Sequence, residues 1–146
     1  LNGMEIINHE IAHVLMTPLL KNPTTYVENL NWIVIQEGIA HFLGCPQKEL
    51  ILKRLDKWRE SETDLENAYV VLANPSIPDE EKQLLLKQAN ANSDFWKKYG
   101  AISGVFRAAQ IFKIEGIQGL INAVKSGALK KTGSYLRPMP SAIRSK

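Results

Sequence analysis

The chain has a single cysteine, Cys45, so no internal disulfide can hold it together. That usage fits a reducing compartment without excluding an extracellular one. No apolar run approaches the ~18 residues that a membrane-spanning helix needs. No G-x-x-x-x-G-K-S/T or G-x-G-x-x-G loop occurs, which removes the common phosphate cradles. No G-x-S-x-G elbow occurs, which removes the usual strand-to-helix serine nucleophile. No segment alternates apolar and polar residues with period two, and no internal repeat recurs. Sheet-based and solenoid folds therefore have no support. Histidine is scarce, three in 146 residues, and all three fall in two short motifs.

What is present is ordinary in amount and uneven in placement. The hydrophobic fraction is 45% and the charged fraction 23%, typical of a globular domain that can bury a core. The net charge is +3. The end of the chain holds Lys130, Lys131, Arg137, Arg144 and Lys146 and no acid. No aromatic-basic interleaving or nucleic-acid module accompanies this run, so it reads as a solvated basic tail over 129–146, and no nucleic-acid partner is expected. The chain opens on Leu1 and its first helix starts almost at once, which suggests part of a longer protein. Residues 1–128 are expected to form one domain of unstated oligomeric state.

Helical spacing runs through that domain. Segment 3–20 ends near Pro18, and Asn22-Pro23 punctuates a loop. Segment 26–44 is mostly apolar, closes at Gly44 before Cys45-Pro46, and should lie centrally. Helices are expected over 46–60, over 62–73 before Pro75, and from Pro78 with Asp79, Glu80 and Glu81 in its first turn. Asn92-Ser93-Asp94 caps a long helix to Gly116, and a short one follows to about Gly127. The fold class is all-α, a compact helical bundle-like domain with little or no sheet.

The two histidine motifs carry the chemistry. His9-Glu10-Ile11-Ala12-His13 is an H-E-x-x-H. On a helix, residues i and i+4 share a face, so both imidazoles can reach one cation. Gln36-Glu37-Gly38-Ile39-Ala40-His41 adds a carboxylate, Glu37. Two histidines and a glutamate around an open position make the ligand set of a catalytic zinc site. Glu10, beside the first histidine, suits a general base. The plainer reading is a helix with two partly buried histidines and a surface glutamate.

The run NWIVIQEGIAHFLG resembles the helix that carries the third ligand in aminopeptidase N-type and thermolysin-like zinc peptidases, the gluzincins. Glu37-Gly38-Ile39-Ala40 matches its acid-Gly-apolar-Ala pattern. The resemblance implies an all-helical zinc-carrying portion in which His9, His13 and Glu37 hold Zn²⁺ and Glu10 is the base. It also implies a peptide or protein substrate. The spacing departs from the best-known members: 23 residues separate His13 from Glu37. KYGAISGVFRAAQIFKIEGIQGL resembles a later helix of these peptidases, with Gly104 and Gly116 at the family's separation. The family's oxyanion-binding tyrosine falls at Ala101, and Tyr99 stands two residues earlier. Tyr99 is either that donor or a tyrosine packed between helices. His41, i+4 from Glu37, is a further oxyanion candidate or a structural histidine. Such peptidases hold the substrate along a sheet lying before the zinc helix, and only eight residues precede His9.

Two other readings stand beside this one. One is a helical interaction domain that keeps the motif without catalysis. The other is a ferritin-like di-metal bundle, whose Glu-x-x-His pairs do not match the spacings here. Cys45 reads as a buried thiol. The stripes Leu50, Leu55, Trp58 and Phe95, Phe106, Phe112 read as core. Residues 53–60, of mixed charge, read as a solvated helix face.

Overall fold

In a computed structural model, which describes residues 3–91 and 93–132, the fold is all-α. It holds α1 (Gly3–Met16), α2 (Tyr26–Gly44), α3 (Lys48–Leu52), α4 (Leu55–Ala73), α5 (Asp79–Asn90) and α6 (Tyr99–Ser126), with no strand among the described residues. Short 3-10 turns occupy Thr17–Leu19 and Phe95–Lys97. None of these helices is long and apolar enough to cross a membrane.

The central position expected of α2 follows from its composition. It starts at a capping box in which Thr25 accepts from the Glu28 N–H and the Glu28 carboxylate accepts from the Thr25 N–H. Leu30, Val34, Ile35, Ile39, Ala40 and Phe42 are buried along it, on more than one face. α2 lies against α6 on one side and α1 on the other. It crosses α6 backbone to backbone: a Cβ at Gly38 would stand 2.4 Å from Gly104 Cα. Only two facing glycines allow that approach.

α4 joins the bundle through a buried ion pair. Glu62 accepts from Arg107 Nε and Nη2 at 2.8 and 2.7 Å, and from Trp58 Nε1 at 3.1 Å. This explains one departure from the expected elements. The polar stretch around Ser61 suggests a helix break, yet α4 runs straight through it because Ser61 and Glu62 face inward. The break falls instead at Lys53–Arg54, where the Arg54 guanidinium turns back onto Asp56. α6 carries the expected interruption at Gly116, whose φ is 65°, and ends at Gly127 in the left-handed region.

Other expectations fare unevenly. Asp94 caps the turn at Phe95–Lys97 through the Trp96 N–H, while Asn92 lies outside the described residues. Cys45 is buried, beside Trp58 and Phe106. Leu50, Leu55 and Phe112 are not core: all three are exposed. The basic tail begins within packed structure. Leu129 is buried and accepts from Arg107 Nη1, and Lys131 pairs with Glu66 at 2.7 Å. Arg137, Arg144 and Lys146 lie outside the described residues.

The outer face of α1 is unusual. Glu5, Ala12 and Met16 are buried with His9 and His13 half-buried beside them, one helical face turned to α2. The opposite face holds Met4, Ile7, Ile11, Val14 and Leu15, all exposed, Val14 by 70%. A helix apolar on both sides is the pattern of an element covered on both sides.

Candidate metal centre

Helical geometry and one close approach assemble the site. His9 and His13 are one turn apart on α1, with ring centroids 4.6 Å apart. α1 meets the end of α2 so tightly that a Cβ at Gly44 would stand 2.8 Å from His9 N. That contact brings the inner face of α1 over Glu37 and His41, which are one turn apart on α2.

The two imidazoles address different oxygens of one carboxylate. His9 Nε2 lies 3.6 Å from Glu37 Oε2, and His13 Nε2 lies 3.5 Å from Glu37 Oε1. Ligand atoms about 2.1 Å from a tetrahedral Zn²⁺ are about 3.4 Å from one another, close to each of these two histidine–carboxylate separations taken singly. Among the described residues, the histidines and acids whose ligand atoms all lie within 4.8 Å of one another are His9, Glu37 and His41; His13 falls outside that group.

Hydrogen bonds fix the tautomers of His13 and His41. His13 Nδ1 donates to Gln36 Oε1 at 2.5 Å, which leaves a lone pair on the Nε2 that faces Glu37. His41 Nδ1 lies 2.8 Å from the Glu37 carbonyl oxygen. A carbonyl only accepts, so this nitrogen carries the proton and has no lone pair for a cation. The same Nδ1 is 3.3 Å from His9 Nε2. With Nδ1 protonated, the lone pair of the neutral His41 ring is on Nε2; the three residues whose ligand atoms converge are His9, Glu37 and His41, with His13 on the other oxygen of Glu37.

The electrostatics agree. The Glu37 carboxylate raises the His9 pKa above the usual imidazole value, against burial, with Glu10 adding to it. Burial pushes the Glu37 carboxyl up, but the His9 hydrogen bond and the three imidazole charges outweigh it and hold the group below its ordinary range. Burial lowers His41. His9 and Glu37 thus form a pair that holds a proton between them.

The centre opens into a cleft of about 470 Å³, also lined by Ile6, Glu10, Asn90 and Lys98. Glu10 is the most exposed of the candidate residues, its Oε1 3.5 Å from His9 Nδ1. Tyr99 does not join this group. Its hydroxyl donates to Leu85 O at 2.6 Å and lines another cleft, and burial pushes its pKa well above the phenolic value. The preceding residue, Lys98, faces the centre instead.

Two participants were missed in the sequence. Gln36 left one sign, a lone carboxamide in an apolar helix next to an expected ligand. Lys98 left none, since only the fold of the 91–98 segment brings it to α1. Compared with known proteins, no family model, no curated protein and no solved structure matches the chain.

Proposed function

We propose that this chain carries the zinc-binding, water-activating part of a gluzincin-like metallopeptidase. The substrate is a peptide or protein, and the reaction is hydrolysis of a peptide or other amide bond. The observation that carries this reading is the pair of separations, 3.6 and 3.5 Å, from His9 Nε2 and His13 Nε2 to the two oxygens of Glu37. A bound Zn²⁺ supplies Lewis acidity, which acidifies a water and polarises a carbonyl.

The chain's own groups divide the remaining work. His9, His13 and Glu37 hold the cation, and Gln36 orients His13. Glu10, at the cleft and exposed, takes a proton from water and hands it to the leaving amine. The Tyr99 hydroxyl is occupied and the single proton of neutral His41 is held by the Glu37 carbonyl, so charge developing on the carbonyl oxygen falls to the Lys98 ammonium in the same cleft. The apolar outer face of α1 supports a further layer of structure against that helix. The resemblance expects a substrate-presenting sheet, and positioning of that kind supplies much of catalysis.

Elemental analysis of the folded chain should find one zinc per molecule. Glu10→Gln should keep that metal and lower hydrolysis of a mixed peptide substrate by about 10²–10⁴-fold. No stoichiometric metal on a folded chain, or full activity in E10Q, overturns the reading. The uncovered α1 face also favours a second reading, a helical interaction domain that retains the motif. Zinc bound without turnover, in a protein that includes any layer covering α1, selects it.

A further inference from the structure

Leu55 and Phe112, expected in the core, line a second cleft together with the buried Trp58 and Phe106. Phe42, Leu52, Leu55, Trp58, Phe106 and Phe112 surround about 530 Å³ among α2, α3, α4 and α6. That volume falls within the roughly 300–1,000 Å³ of small-molecule pockets. Trp58 and Phe106 stack with centroids 4.8 Å apart and planes 7° from parallel, which makes one wall flat and rigid. Both are buried, while Leu55 and Phe112 leave the mouth apolar and open.

Polar groups in the same cleft point to the chemistry of an occupant. Gln110 lines it and is only 4% exposed. Its Oε1 accepts from the Thr132 N–H at 3.3 Å, but its Nε2 has no partner among the described residues. A buried amide donor left unmatched is costly, and a ligand acceptor resolves it. Lys48 places its ammonium 4.8 Å over the Phe42 ring, which leaves N–H donors to spare. The polar part of the lining therefore favours an anion that accepts hydrogen bonds, and the rest favours an apolar body.

We propose that this cleft binds an apolar carboxylate. Its aliphatic or aryl chain lies along the Trp58–Phe106 wall, and its carboxylate is held by the Lys48 ammonium and the Gln110 amide. The cleft shares no lining residue with the histidine centre, so the inference does not rest on the hydrolase reading.

Decanoate is a suitable probe, titrated into the full chain by calorimetry and tryptophan fluorescence, with decanol as the uncharged comparison. Decanoate should saturate at one per chain and bind more tightly than decanol. Lys48→Met and Gln110→Leu should each weaken decanoate by about 10-fold or more and leave decanol within about twofold. Ala109→Phe, which fills the cleft from a half-buried lining position, should abolish both. Should it unfold by circular dichroism, Phe112→Glu repels the carboxylate from an exposed position. Three results overturn the proposal: no saturation by decanoate, decanol binding as tightly as decanoate, or unchanged decanoate binding in the folded cleft variant. The last would place the ligand on the apolar face of α1.

Discussion

Gln36 shows how one buried carboxamide can govern a site it does not belong to. By accepting from His13 Nδ1 it turns the ring's other nitrogen toward Glu37. Gln36→Leu should keep the helix and weaken metal affinity by about 10–100-fold, read by competition with a chromogenic chelator. The Glu37–His9 pair predicts a pH dependence. His9 holds its proton to higher pH than a free imidazole, so a cation must displace that proton to bind. Metal affinity should therefore level off at alkaline pH and fall as pH drops through the imidazole range. Proton release should be measurable by calorimetry in buffers of different ionisation enthalpy. A pH-independent affinity across that range would remove His9 from the ligand set. The residue types of the centre, His9, His13, Glu37 and Glu10, were legible because helical spacing alone places them on shared faces. Tyr99 and Lys98 were not. They are adjacent in the chain but serve different clefts, and only the turn at 95–98 decides which one meets α1.

At the scale of elements, the α2–α6 crossing sets the position of the centre, because Gly38 follows Glu37 directly. Replacing Gly104 by Ala puts a methyl group within 2.3 Å of Val34 O and 2.6 Å of Gly38 Cα. Neither backbone can yield without moving a helix. Gly104→Ala should cost about 3 kcal/mol, the upper end of ordinary overpacking, measured by urea denaturation. A neutral substitution would mean that the helices do not cross backbone to backbone. Helix existence was readable throughout, since apolar periodicity and Gly or Pro stops are local. The α3–α4 boundary was not, because Ser61 and Glu62 look like a polar interruption until Arg107 arrives from α6 to satisfy Glu62.

At the scale of the molecule, an exposed apolar surface runs along α1 among the described residues. Val14→Lys and Leu15→Gln, both exposed, should raise the solubility of the chain and reduce binding of a hydrophobic dye. Any zinc affinity should stay within about twofold, since His9 and His13 face the other way. Loss of the fold in these variants would show that the face is buried in the chain as it stands. The amino-acid sequence by itself determined the helical class, the central place of α2 and the types of residue in the histidine centre. Each of these follows from spacing along a single helix. Tertiary structure alone decided that His41 joins His9 and Glu37 in one cluster, that Lys98 and not Tyr99 lines the histidine cleft, and that Leu55 and Phe112 open a cleft rather than fill the core. Each of these depends on groups far apart in the chain that meet only when the helices pack, and no local pattern encodes that meeting.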